Sequence, residues 1–265
     1  MRFRAQLIAV TLSASLWVPT AFSQSDEQQA QEKPADEISS TVNPSKAKAR
    51  FFIRNEFRKR EDDTEINVLE PLYDLPLSDK LALRTQIPFV WNNPVDGATE
   101  SGLGDITNVL AYRYVNNAGK SYFAALEARW NTAVDDRLGV GKTLLAPTWF
   151  GTIPVPKYNT ILFPVVQTFF TVAGDDNRDD INYTVLKGRF LTKLTKGYYI
   201  FGEPLIYFDH EDDNDTTGTL ELEFGRFLNK QTMVYARPGT GLWGNTGSPY
   251  LYEWNFEIGY RYFFK

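Results

Sequence analysis

Residues 250–264 constrain the fold more than any other segment, because their odd and even positions separate by polarity and every even position is apolar or aromatic. The odd positions include Glu253, Asn255, Glu257, Gly259 and Arg261. Successive side chains of a β-strand point to opposite faces, so the segment would have one apolar and one polar face. An apolar face with aromatic residues at both ends is typical of a strand that crosses a bilayer. The alternative is an amphipathic edge strand of a soluble sheet, which would invite aggregation. The apolar even positions are Tyr250, Tyr252, Trp254, Phe256, Ile258, Tyr260, Tyr262 and Phe264.

The C-terminus also resembles the closing strand of Gram-negative outer-membrane barrels, in which alternating aromatics follow a glycine. Gly259, Tyr262 and Phe264 fit that pattern, whereas Lys265 after the final aromatic departs from it. The resemblance implies that these three residues form a signal for the barrel assembly machinery.

The N-terminus has the features of a cleaved secretory signal. Arg2 and Arg4 precede an apolar run over residues 7–18, and Ala21-Phe22-Ser23 supplies small residues for cleavage. The run is too short for a transmembrane helix, which needs about 20 apolar residues. We therefore predict a signal peptide over residues 1–23. Residues 24–49, rich in Gln, Glu and Ser, are predicted to be a disordered periplasmic leader, with a plug-like helix as the alternative.

Composition excludes several classes of function. The net charge of −5 argues against nucleic acid as a partner, and the absence of cysteine excludes disulfides and thiol chemistry. We predict no cofactor, no metal and no enzymatic activity.

Residues 50–265 divide into segments of 9 to 14 residues with alternating polarity, separated by turn signals. They predict an all-β fold, a transmembrane antiparallel up-and-down β-barrel of about 12 strands in the bacterial outer membrane. The two segments around Pro147 and Pro164 are nearly apolar throughout, so polarity does not assign their facing. With an even strand count both termini lie in the periplasm. The short connections are then periplasmic turns, and the long ones are outer acidic loops, which carry Asp135, Asp136, Asp175, Asp176, Asp209, Asp212 and Asp213.

Strand parity also predicts which charged side chains face the barrel lumen. If the even positions of the last strand contact lipid, the odd ones point inward, and the same reasoning extends to the other strands. Charges of both signs could line a narrow aqueous path or neutralise one another and close it. The predicted set is Arg54, Glu56, Arg58, Arg84, Glu127, Arg129, Lys187, Arg189, Glu203, Glu221, Glu223, Arg237, Glu253, Glu257 and Arg261.

His210, the only histidine, is the one candidate for catalysis. Lipid hydrolases embedded in barrels use a His/Ser pair, but no serine is close to His210 in the sequence. The acidic run around it begins like a calcium loop, yet the bidentate glutamate would fall at Phe224. A solvated loop that binds cations loosely is the preferred interpretation, and such loops could bridge to lipopolysaccharide.

Three central stretches resemble one family of outer-membrane proteins, the transporter or MetA-pathway of phenol degradation family. They are Gly102-Leu103-Gly104-Asp105-Ile106, followed by Tyr112-Arg113-Tyr114, then residues 135–142 and residues 173–182. The resemblance covers most of residues 50–265 and implies an outer-membrane barrel linked to the uptake of small organic compounds. Thr148-Trp149-Phe150 departs from the family's more regular Gly-Pro pattern.

These observations predict an outer-membrane channel that passes small solutes, including small organic or aromatic compounds, through a charged lumen. The acidic outer mouth would favour cations or neutral molecules over anions. The expected partners are outer-membrane lipid, lipopolysaccharide, the barrel assembly machinery and an unidentified solute. The alternatives are a structural barrel with a closed lumen and a barrel-embedded lipid hydrolase.

Overall fold

A computed structural model describes residues 49–117, 120–245 and 251–264. The predicted signal peptide and all but the last residue of the predicted leader lie outside these ranges, so both domain boundaries stay predictions. Within the described ranges no helix is long and apolar enough to cross a membrane.

The chain forms fourteen strand segments and two short 3-10 turns, residues 156–158 and 195–197. The segments are β1 (Arg50–Lys59), β2 (Glu65–Pro76), β3 (Leu81–Gln86), β4 (Phe89–Asn93), β5 (Glu100–Leu103), β6 (Thr107–Asn117), β7 (Lys120–Arg129), β8 (Lys142–Val155), β9 (Thr160–Gly174), β10 (Asn182–Lys193), β11 (Tyr198–Asp209), β12 (Thr216–Phe227), β13 (Thr232–Trp243) and β14 (Trp254–Phe263).

These segments build a closed antiparallel barrel of twelve strands. β2 pairs with both β3 and β4, so these two form one barrel strand, which is interrupted at Ile87 and Pro88. β5 and β6 form the next strand, because β5 pairs with β4 and β6 pairs with β3. β1 pairs with both β2 and β14, which closes the barrel without a free edge. The predicted fold class is confirmed.

The connections separate by length between the two ends of the barrel. At the end that we call the turn end, strands are joined through residues 77–80, 118–119, 156–159, 194–197 and 228–231. At the opposite loop end the connections are residues 60–64, 94–99, 130–141, 175–181, 210–215 and 244–253. The longer and more acidic connections all lie at the loop end, which the sequence predicts to face outward.

The outer wall is apolar and has aromatic residues at both ends. Leu110, Leu126, Val166, Phe224 and Ile258 are exposed on the outer face of the strands. Exposed aromatic residues lie near the loop end (Trp91, Trp130, Trp243 and Trp254) and near the turn end (Tyr73, Tyr114, Tyr198 and Phe264). Such an apolar belt between two aromatic girdles is characteristic of outer-membrane barrels.

The structure assigns the facing of β8 and β9, which the sequence left open. Leu144 and Ala146 on β8 and Phe163 and Val165 on β9 are buried inside the barrel. Apolar residues therefore occupy both faces of these strands, which explains why polarity did not separate them. Pro147 is on the exposed face of β8.

The last strand is shorter than its alternating sequence predicts. β14 begins at Trp254, after a bend at Glu253. Leu251 and Tyr252, which precede the bend, are buried. The Tyr252 hydroxyl donates to Glu221 Oε1 at 2.6 Å. The expectation that Tyr252 faces lipid is therefore wrong, because the strict alternation of facing holds only within a strand.

Candidate functional site: the barrel interior

Among the described residues, two cavities inside the barrel share part of their walls. The larger, of about 530 Å³, lies toward the turn end, and the smaller, of about 200 Å³, lies closer to the loop end. Side chains that line both are Arg54, Lys187, Arg189, Glu203 and Arg237. The cavities are therefore adjacent, and charged side chains surround their junction.

Glu223 is the centre of one charged network in the wall. Its side chain is fully buried, and its Oε2 accepts from Arg237 and from Arg261 Nη2, the latter at 2.7 Å. Tyr199 donates its hydroxyl to Glu223 Oε1 at 2.5 Å. One carboxylate thus holds two guanidinium groups on neighbouring strands.

A second network joins the two strands at which the barrel closes. Arg54 on β1 pairs with Glu70 on β2 and, at 3.1 Å, with Glu257 on β14. Glu257 Oε1 also accepts from the Tyr235 hydroxyl at 2.6 Å. These pairs connect β13, β14, β1 and β2 across the ladder between β1 and β14, which closes the barrel.

Toward the turn end the wall becomes more cationic. Asp74 accepts from Arg84 at 2.6 and 3.0 Å and lies 3.5 Å from Arg50. The guanidinium groups of Arg84 and Arg261 both lie over the ring of Phe52, 5.8 and 5.5 Å from its centroid. Among the described residues, nine cationic side chains line the larger cavity, against five carboxylates. The cations are Arg50, Arg54, Lys80, Arg84, Arg113, Lys187, Arg189, Arg237 and Arg261, and the carboxylates are Asp74, Asp79, Glu127, Glu203 and Glu223.

The predicted lumen-facing charges fall into three groups by position. The first lines one or both cavities and consists of Arg54, Glu56, Arg58, Arg84, Glu127, Lys187, Arg189, Glu203, Glu221, Glu223, Arg237, Glu257 and Arg261. Arg129 lies outside that lining, with its guanidinium over the buried Phe169 ring at 5.6 Å. Glu253 is exposed in the bend before β14, so strand parity does not apply to it.

Several wall residues were missed because they are uncharged or lie where the sequence pattern is mixed. Asn255 donates to Glu56 at 2.9 Å and to Glu221 at 3.0 Å, and Gln167 donates to Glu127 at 2.9 Å. Their polarity and inward parity could have identified both. Tyr199 and Tyr235 could not be separated by polarity from lipid-facing tyrosines.

The acidic residues of the outer loops all lie at the loop end, and local hydrogen bonds hold some of them ionised. The backbone N–H of Arg137 lowers the pKa of Asp135, and that of Asn177 lowers the pKa of Asp175. Asp136, Asp176, Asp212 and Asp213 are in loops, whereas Asp209 is the last residue of β11. In the described part of the chain, no group of three or more acidic, histidine or cysteine side chains could hold a metal ion.

His210 contacts a threonine hydroxyl rather than a serine. Its Nε2 lies 2.9 Å from Thr184 Oγ1 on β10, and its Nδ1 lies 2.7 Å from Asn214 Oδ1. Thr184 Oγ1 also lies 3.0 Å from Thr168 Oγ1. These contacts attach the 210–215 loop to β10. They form a chain of contacts at the loop end from the Thr184 hydroxyl through the His210 imidazole to the Asn214 amide.

The residues of the predicted assembly signal lie in and just after β14. Gly259 faces the Tyr235 ring so closely that a Cβ there would be 2.3 Å from Tyr235 Cζ. Tyr262 and Phe264 are in edge contact, with ring centroids 5.0 Å apart, and Phe264 is exposed. The glycine thus has a packing role in the barrel wall besides its place in the terminal pattern.

Comparisons with known proteins relate the chain to outer-membrane channels through fold alone. No family model matches it, and no curated protein matches it. Among solved structures, it is similar to a COG4313 outer membrane channel from Pseudomonas putida F1, with TM-score 0.65 and 14% identity over 84% of this chain and 98% of that chain. The KdgM porin is also similar, with TM-score 0.58 and 12% identity over 82% of this chain and 99% of that chain. So is the NanC porin, with TM-score 0.59 and 9% identity over 80% of this chain and 98% of that chain. The fold and the apolar belt are those of bacterial outer-membrane barrels.

Proposed function

We propose that this protein is an outer-membrane channel through which small solutes pass along the charged side of its interior. The main support for this function is the pair of adjacent cavities inside the barrel. Five charged side chains line both of them: Arg54, Lys187, Arg189, Glu203 and Arg237. Charged side chains are costly to remove from water, and an aqueous path along this wall would keep them hydrated. The similarity in fold to channels and porins supports the same function.

The proposed path runs along one side of the barrel. The smaller cavity is lined from β1 and from β10 through β14, as by Arg58, Tyr207, Glu221 and Glu257. One apolar cluster at the loop end lies around Ile66 on β2, away from this cavity. A second cluster, around Leu144 on β8, borders the cavity through Leu205 and Tyr207. A solute that enters from the acidic loops would therefore meet polar groups of β10 to β14 and β1 before it reaches the more cationic turn end.

The family resemblance supports a finer proposal, the passage of small organic or aromatic compounds. Phe52, Phe150, Phe163 and Phe201 line the larger cavity together with the arginines. Aromatic rings beside guanidinium groups can contact both the apolar body and the charged group of such a solute. We propose that the apolar outer wall contacts membrane lipid and that the loop end contacts lipopolysaccharide. The barrel assembly machinery would recognise Gly259, Tyr262 and Phe264.

Liposome swelling tests the channel directly. Proteoliposomes that contain the folded mature chain, residues 24–265, are diluted into isotonic neutral sugars of increasing size and into small organic ions. We expect swelling with the smallest solutes and progressively less with larger ones, because the smaller cavity holds only about 200 Å³. Equal impermeability to every solute would favour the closed structural barrel.

A lipid hydrolase is the second candidate, and the contacts of His210 favour it. Thr184, His210 and Asn214 occupy the order of nucleophile, base and orienting group in a catalytic triad. Hydrolysis of phospholipid vesicles by the purified barrel, lost in His210→Ala, would establish this activity. We expect no hydrolysis by either protein and unchanged solute entry in His210→Ala, because threonine is β-branched and its hydroxyl is shared with Thr168.

A further inference from the structure

The loop between β7 and β8, residues 130–141, contacts the inside of the barrel rather than extending away from its rim. Leu138 is 5% exposed and belongs to one buried cluster with Ile66, Val68 and Val90. The inward parity of β2 places Ile66 and Val68 on the same face as Glu70, whose partner Arg54 lines both cavities. The loop therefore covers the interior face of β2 and β4 at the loop end.

The other arm of the loop reaches a second part of the wall. Val140 packs against the buried cluster that contains Leu144, Phe169, Val185 and Leu205, on β8 to β11. Together the two contacts fill the loop end on the β2 and β8 sides. The smaller cavity lies beside them along β10 to β14 and β1 and shares Leu205 with the second cluster.

A single carboxylate, that of Asp105, holds both arms in place. Its Oδ1 accepts from the backbone N–H groups of Thr132 and Ala133, each at 3.1 Å, and its Oδ2 accepts from the N–H of Val140 at 2.8 Å. Asp105 is 7% exposed. A buried carboxyl group is costly unless its oxygens are hydrogen-bonded, so the Asp105 side chain and the inward loop stabilise each other.

Two glycines just before Asp105, Gly102 and Gly104, and Gly139 in the loop itself permit this close approach. A Cβ at Gly102 would lie 2.5 Å from Val134 Cγ2, and one at Gly104 would lie 3.0 Å from the carbonyl oxygen of Leu138. A Cβ at Gly139 would lie 2.7 Å from both oxygens of Asp105. Larger residues at these positions would displace the loop from the wall.

From these contacts we infer that loop 130–141 is the constriction of the channel at the loop end, and that Asp105 is the residue that positions it. The loop then sets the size limit for solutes, and Asp105 acts on transport without touching the solute. The inference rests on the proposed channel function.

Single-channel recording of Asp105→Asn tests this role. The amide places donors opposite backbone N–H groups, so the loop loses accepted hydrogen bonds and leaves the wall more often. We expect high-conductance events to become about tenfold more frequent than in the unmodified protein, since the amide loses at least one of the three accepted bonds and each charge-assisted bond lost favours displacement by tenfold or so. The matched control is Asp179→Asn, which removes one exposed carboxylate from the neighbouring 175–181 loop.

A disulfide supplies the reverse manipulation. The chain has no cysteine, and Gly102 and Val134 are close enough for a bridge between introduced cysteines. The test variant combines Asp105→Asn with Gly102→Cys and Val134→Cys. Oxidation forms the disulfide and is expected to return the frequency of high-conductance events to that of the unmodified protein. Reduction breaks the disulfide and is expected to raise that frequency again. Leu138→Ser, which leaves the barrel strands unchanged, is expected to act like Asp105→Asn and serves if that variant does not fold.

The outcomes separate the two proposals. Normal conductance in the unmodified protein with no change in Asp105→Asn, Leu138→Ser or the bridged variant would overturn the constriction while the channel stands. Silence in the unmodified protein with conductance in Asp105→Asn would support the constriction in its strongest form. Silence in every folded variant would contradict the channel and, with it, the constriction.

Discussion

Glu223→Ala is expected to lower the free energy of unfolding of the barrel by about 3–5 kcal/mol, the cost of leaving buried charges without their partner. Glu223 is fully buried and pairs with both Arg237 and Arg261. Removing it leaves two guanidinium groups close together, and the Tyr199 hydroxyl loses its acceptor. Unfolding by urea in lipid vesicles, followed by tryptophan fluorescence, measures the change.

The control for this variant is Glu211→Ala, because Glu211 is exposed in the 210–215 loop. A surface change of this kind is expected to alter stability by no more than about 0.5 kcal/mol. Equal stabilities of the two variants would mean that the network around Glu223 does not hold the wall together.

Lys187→Glu is expected to make the channel more selective for cations. Lys187 lines both cavities, and no salt bridge of its side chain exists among the described residues. Its charge can therefore be reversed without breaking an ion pair. A change of two charges at the junction is worth several kcal/mol at short range even with strong screening, so the ratio of cation to anion permeability should rise by about tenfold or more.

Reversal potentials in a salt gradient measure this ratio. Lys157→Glu makes the same charge change in an exposed turn at the far rim of the turn end and should shift the potential much less. High salt should reduce the effect of both substitutions. An unchanged potential in Lys187→Glu would mean that ions do not pass the junction of the two cavities. The potential of the unmodified protein also tests the preference for cations or neutral solutes that the acidic loops predict.

The sequence predicted the barrel well because the physical rule behind it is local. Alternating residues such as Glu257 and Ile258 must separate into water and lipid, and the twelve repeats of that rule fix the strand number. The rule fails where a strand is interrupted, as at Pro88, or where the chain bends inward, as at Tyr252. It is also silent on β8, where apolar side chains such as Leu144 pack inside the barrel.

Much of the interior was predictable for the same reason, and the loop was not. Arg237 stands out as the only charged residue of β13, and Glu223 alternates with Leu222 and Phe224 on β12. Asp105, in contrast, was recognised only as part of a family-like motif, because its three partners are backbone N–H groups about 30 residues later. No side-chain pattern encodes such contacts. They depend on the path of the 130–141 loop through space.

Single-channel recording of refolded residues 24–265 in planar bilayers shows directly whether the barrel conducts. A second chain that lacks residues 24–48 controls for the leader, and migration as a folded barrel in gel electrophoresis is checked for both. We predict discrete conductance steps whose ion preference shifts in Lys187→Glu. Folded protein that inserts into the bilayer and stays silent, with and without the predicted leader and also as Asp105→Asn, would contradict the channel and leave a closed structural barrel.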